Sequence, residues 1–155
     1  MTTAPWRDPA LPAAARVDDL LSRMTLEEKT AQLYGVWVGA ATDGDGVAPL
    51  QSEMASSYDW DELITRGLGQ LTRSFGTAPV DPVLGAQALA RAQHRIAGAS
   101  RFGIPAIAHE ECLAGFTAWQ ATAYPVPLAW GAAFDPELVE ELGRRIGDDL
   151  RSVGV

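Results

Sequence analysis

An α/β domain with parallel strands is the fold class predicted by the 155-residue sequence. Three observations lead there. Helical stretches with apolar spacings of three and four alternate with short apolar runs bounded by glycine, as strand–helix units require. The run Ile104-Pro105-Ala106-Ile107-Ala108-His109 is almost continuously apolar, which suits a strand buried on both faces. The last helical pattern runs out at Ser152-Val153-Gly154-Val155, where a helix should hand over to another strand. Two or three strands cannot close a barrel, so the domain is expected to be incomplete in this chain.

Residues 1–12 hold three prolines and little periodicity, and read as an extended arm before a domain over 13–155. Val17, Leu20, Leu21 and Met24 recur at the spacing of an amphipathic helix. Thr25-Leu26-Glu27-Glu28 is a capping box, opening a second helix to about Tyr34 that should bury Leu26, Ala31 and Leu33. Residues 35–57 are broken by glycines. Asp43-Gly44-Asp45-Gly46 invites a calcium loop, but Met54 stands where an EF-hand needs its bidentate Glu, so a solvated loop is expected. Leu63, Ile64 and Leu68 suit a helical turn, and Gln70-Leu71-Thr72 a short strand. Pro82 to Ala99 is a helix with Leu84, Ala88, Ala92 and Ile96 on one face. A Gly-, Ala- and aromatic-rich loop then leads to a helix capped by Asp135 and opened by Pro136, with Leu138, Leu142, Ile146 and Leu150 as its stripe.

Composition narrows the function classes. Apolar residues make up 47%, charged residues 21%, and the formal net charge is −8. A nucleic-acid partner would need clustered Lys and Arg, which are absent. Cys112 is the single cysteine, so no intrachain disulfide and no Cys-based zinc site can form. No apolar run approaches the length of a membrane span, and no signal peptide is visible, so a cytoplasmic location is expected. Gly67-Leu68-Gly69-Gln70-Leu71-Thr72 lacks the third glycine of a dinucleotide fingerprint and leads into a strand, so no cofactor is expected.

The chemistry concentrates after the apolar run, in His109-Glu110-Glu111-Cys112-Leu113-Ala114-Gly115-Phe116. In parallel α/β folds, ligands bind where the strands end. Adjacent carboxylates cannot easily serve one glycosidic bond as acid and nucleophile. Those groups flank the bond about 5 Å apart or more, whereas neighbours on a strand point to opposite sides. If extension persists, His109 and Glu111 share a face and Glu110 turns toward the surrounding shell. Glu111 is then a site candidate or a paired strand-end carboxylate. His109 is a site, supporting or packing residue, and Arg73 a mouth residue or a solvated charge. Cys112 reads as a small apolar group, Trp130 as core and Trp119 as core or sugar platform.

Asp18-Asp19-Leu20-Leu21-Ser22-Arg23-Met24-Thr25-Leu26-Glu27-Glu28-Lys29 is similar to the opening of family 3 glycoside hydrolases. Gly103-Ile104-Pro105 with His109-Glu110-Glu111-Cys112-Leu113-Ala114-Gly115 resembles a strand motif of its β-xylosidase and β-glucosidase branch. Tyr124-Pro125 and Trp130 to Val139 continue the match. The resemblance implies the N-terminal portion of a TIM-type (β/α)8 barrel. It also implies retaining, exo-acting hydrolysis of terminal β-xylosides or β-glucosides, with the Asp nucleophile and the acid/base beyond this chain. Arg73, His109 and Glu111 would bind substrate, Glu111 as the carboxylate that grips sugar hydroxyls. No catalytic residue, metal or cofactor is expected in this stretch. The expected partners are a carbohydrate and the rest of the barrel or a second copy, with neither nucleic acid nor membrane. Many members carry Asp at the position of Glu111 and His at that of Ala114. The longer Glu111 would crowd a glucose hydroxymethyl and leans toward xylose. The alternatives are a non-catalytic sugar-binding or interaction module and a metal enzyme using Glu110 and Glu111.

Overall fold

The computed structural model describes residues 4–37 and 58–155. The loop expected around Asp43 lies outside them. Three strands, β1 (Gly35–Trp37), β2 (Gln70–Thr72) and β3 (Ile107–His109), form one parallel sheet in the order β1-β2-β3. Six α-helices accompany them among the described residues: α1 (Ala13–Arg23), α2 (Leu26–Ala31), α3 (Trp60–Ile64), α4 (Pro82–Ala99), α5 (Pro127–Ala132) and α6 (Pro136–Ser152). No helix among the described residues is long and apolar enough to cross a membrane.

Register sorts the sheet into two faces. Val36, Leu71 and Ala108 are aligned across the strands, and Val36 and Leu71 are buried with Leu89 and Ile96 of α4, Ile64, Leu68 and Phe75. The alternate rows, Gly35–Gln70–Ile107 and Trp37–Thr72–His109, point the other way. Ile107 there is 71% exposed. The apolar run therefore does not form a strand buried on both faces within this chain, because no described element covers its second face. The strand also starts later than Ile104. Both backbone groups of Ala106 are taken by the Gln93 side chain, Nε2 donating to its carbonyl (2.7 Å) and Oε1 accepting from its N–H (2.9 Å), so sheet pairing begins at Ile107.

Local rules explain several elements. The Thr25 capping box is present, with Thr25 Oγ1 accepting from the Glu28 amide and Glu28 accepting from the Thr25 amide. Arg101, with help from the Thr25 amide, holds the Glu28 carboxyl down to about 2. The helix itself ends at Ala31, short of Tyr34, leaving Leu26 and Leu33 exposed rather than buried. Asp59, Asp81 and Asp135 cap α3, α4 and α6.

Three further expectations are corrected. The supposed extended arm contains a 3-10 turn, Pro5–Arg7, strapped down by Trp6 against the Phe102 ring and by Arg16 Nε donating to the Trp6 carbonyl. The buried face of α4 is Gly85, Leu89 and Ile96, and Leu84 is exposed. Strand β1 and helix α5 lie in stretches read as irregular, where glycine and proline obscure short elements.

Candidate functional site

All three strands end at one edge, and their last residues, Trp37, Thr72 and His109, stand side by side on the uncovered face. Thr72 Oγ1 and His109 Nδ1 lie 2.6 Å apart, a hydrogen bond that fixes the imidazole against β2. The residue after β2, Arg73, turns left-handed with φ 59°. A non-glycine residue there is uncommon and is kept only where surrounding bonds hold it. Those bonds are present. The Arg73 amide donates to the His109 carbonyl (2.8 Å), and Thr77 Oγ1 donates to the Arg73 carbonyl (2.7 Å). The turn lays the guanidinium over the Trp37 ring, 5.1 Å from its centroid, a cation–π arrangement. Trp37 Nε1 in turn donates to Thr77 Oγ1 (2.9 Å).

Two of the three residues singled out from sequence, Arg73 and His109, are thus brought into one bonded cluster. Glu111 lies two residues past the end of β3 in irregular backbone, half-buried, and its carboxylate makes no hydrogen bond to any described residue. Its carbonyl accepts from the Thr117 amide (3.0 Å), which folds the following loop back toward the strand end. A half-buried carboxylate with no partner among the described residues is chemically suited to receiving hydroxyl donors.

Glu110 points the other way. It is 7% exposed, the single buried charged side chain among the described residues. Its Oε1 accepts from the Phe75 amide (2.7 Å). Burial pushes its carboxyl above the ordinary range, against the pull of the Phe75 amide and the Arg73 charge. Cys112 is half-buried, its thiol also raised by burial. Trp119 is half exposed and lines an open apolar cleft with Phe75, Gly76 and Phe116, while Trp130 is partly buried. His94 is exposed on α4. No group of three or more His, Cys, Asp or Glu side chains that could hold a metal occurs among the described residues.

Sequence reasoning missed Trp37, Thr72 and Thr77 as parts of this cluster. The polar end of β2 was a usable signal for Thr72. Nothing in local pattern marks Trp37, whose strand is three residues long and opens on glycine.

Comparison with known proteins gives consistent matches. The family model described as "Glycosyl hydrolase family 3 N terminal domain" matches residues 25–155. A protein of Formosa agariphila that carries the name of a β-xylosidase is 29% identical over 152 residues, covering 97% of this chain and 19% of the relative. The solved structure of a β-glucosidase from Erythrobacter marinus superposes with a TM-score of 0.74 at 30% identity, covering 98% of this chain and 19% of that one. The chain therefore spans about a fifth of the length of either relative.

Proposed function

The chain belongs to glycoside hydrolase family 3, and from that membership we propose that it forms the first strands of a retaining exo-β-glycosidase barrel. In this reading the uncovered face of the sheet is the barrel interior, and residues 13–155 are the N-terminal part of that barrel domain. Arg73, His109 and Glu111 are its contribution to the pocket for the terminal sugar. The observation that carries the reading is the common edge. Three parallel strands deliver Trp37, Thr72 and His109 in one row, with the Arg73 guanidinium laid over Trp37 and Glu111 two residues past the end of β3. Ligands of parallel α/β folds bind at that end of the strands.

Each residue has a distinct task. The Glu111 carboxylate accepts from two vicinal hydroxyls at once, a charge-assisted pairing stronger than a neutral one. Arg73 supplies donors for a ring or hydroxyl oxygen, and His109, with Nδ1 committed to Thr72, offers its other ring nitrogen. The longer reach of Glu111 favours a pentoside such as a β-xyloside. Hydrolysis itself needs a carboxylate nucleophile and an acid on either side of the bond, and Glu110, buried against Phe75, cannot fill either role.

Titration of the isotope-labelled chain with methyl β-xyloside and methyl β-glucoside, read residue by residue by NMR, tests the assignment. Shifts should concentrate at Thr72, Arg73, His109 and Glu111, larger with the xyloside. Glu111→Ala should abolish them, and neither nitrophenyl β-xyloside nor β-glucoside should be turned over. Shifts confined to another surface would refute the pocket, and turnover at enzyme rates would refute the missing nucleophile.

A further inference from the structure

Glu110 is left unexplained by the sugar pocket, and the bonds around it are unusual for a residue that merely ends a strand. Burying a carboxylate is costly unless its oxygens are engaged. Oε1 is engaged by the Phe75 amide, two residues beyond Arg73. Oε2 is buried with no donor at full hydrogen-bonding geometry among the described residues, although the Gly76 amide, like that of Phe75, pulls the carboxyl downward. Oε2 borders Gly76, and so does the Arg73 guanidinium. A Cβ on Gly76 would stand 3.1 Å from Glu110 Oε2 and 3.2 Å from Arg73 Nη2. The same Nη2 donates to the Gly76 carbonyl (3.0 Å), while Arg73 Nε is buried with no hydrogen-bond partner among the described residues. The left-handed Arg73 turn is thus held by Thr77, itself bonded to Trp37, while its guanidinium lies over the same glycine as the Glu110 carboxylate and within its electrostatic reach.

We propose that Glu110 is a positioning residue: its buried negative charge, acting across Gly76, sets where the Arg73 guanidinium lies at the mouth of the sheet. A hydrogen bond to Phe75 alone would be served as well by glutamine. A charge would not, because the attraction between a carboxylate and a guanidinium across a few ångströms of low-dielectric interior is substantial without direct contact. The burial that raises the Glu110 carboxyl means this charge is maintained at a cost to the fold. A group that weakens the fold while holding a neighbouring cation in place belongs to the site rather than to the scaffold. The consequence for sugar binding rests on the reading of Arg73 as a pocket residue; the placement of the guanidinium does not.

The test is Glu110→Gln, which keeps the acceptor for Phe75 and removes the charge. The Arg73 Nε–H and Trp37 indole N–H resonances, recorded without sugar, should move. The melting temperature should stay level or rise. An acid whose folded pKa lies above its unfolded value favours the fold below the unfolded pKa and loses that contribution as pH rises through the folded one. The advantage of the glutamine variant should therefore grow as pH rises from the ordinary Glu range to the raised Glu110 pKa, hold level above it, and fade in acid. In the wild type, the Glu110 carboxyl carbon and the Arg73 Nε–H should titrate together at a midpoint above the ordinary Glu range. That shared step should vanish in the variant. Arg73, His109, Glu111 and Cys112 are the charged or titratable groups around Glu110, and following the Glu110 carbon itself separates its step from that of His109. An unmoved Arg73 signal in the variant overturns the proposal. So does a lowered melting temperature or a failure to fold, either of which makes Glu110 structural. If the wild type binds no glycoside, the pocket reading fails while the sugar-free Arg73 measurement still decides this one.

Discussion

Thr72 and His109 hold the site together at the scale of single side chains. Their 2.6 Å bond joins two strands at the point where the sheet stops, and it commits one ring nitrogen so that the other is free for a ligand. Thr72→Val has nearly the same shape and cannot bond. It should cost about 1 kcal/mol, the usual net worth of a partly buried hydrogen bond, measured by urea denaturation. The His109 ring resonances should also broaden as the imidazole regains rotamers. Unchanged stability together with an unchanged imidazole would show that the bond is incidental. The candidates at the strand ends were legible in the sequence because an apolar run followed by polar, titratable residues marks the ligand end of a buried strand. The partners that orient them were not. Arg73 reaches Trp37 through a left-handed turn, and no residue pattern signals that a non-glycine residue will adopt one.

Helix α4 shows at the scale of elements why the helix was legible and its buried face only in part. Pro82 and the long Ala-rich run announced the helix to its end at Ala99, but in such a run alanine contributes little to distinguish one face from another. Leu84 and Ala88 were placed on the stripe but face solvent, whereas Ala92 and Ile96 do meet the core. Gly85 faces the core because the Phe75 ring leaves no space for a Cβ, while Leu84 is 60% exposed. Two substitutions in this one helix should then have opposite signs. Gly98 has nothing within 4 Å of an added Cβ, so Gly98→Ala should stabilise by roughly 0.5–1 kcal/mol through helix propensity. Gly85→Ala gains the same propensity but must displace an aromatic ring, and overpacking of that kind costs about 1–3 kcal/mol. A net loss is expected, and thermal melts of the two variants would check it. The capping box of α2 was fully readable because it depends on a local four-residue spacing. The late start of β3 was not, since the Gln93 bonds that displace it come from thirteen residues away.

For the molecule as a whole, the distribution of apolar surface matters more than any one contact. The core lies on one side of the sheet, among Leu71, Leu89, Ile96 and Phe75. On and around the other parts of the chain, Ile107 is 71% exposed, Leu128 83% and Phe134 90%. In the barrel reading, Ile107 lines the interior and the α5–α6 corner packs against neighbouring structure. Apolar surface of this kind, left open in water, is a driver of association. The 16.5 kDa chain should therefore self-associate in a concentration-dependent way in sedimentation velocity runs. Two variants, Ile107→Lys and Phe134→Ser, place polar groups on the open sheet face and on the corner. Each should shift the distribution toward monomer, whereas Arg91→Ser on the exposed side of α4 should not. A chain that sediments as monomer at every concentration and unfolds in one sharp cooperative transition would instead be a self-sufficient module. Its open face would then be a finished surface for a sugar or another partner, and the barrel reading of that face would have to be abandoned.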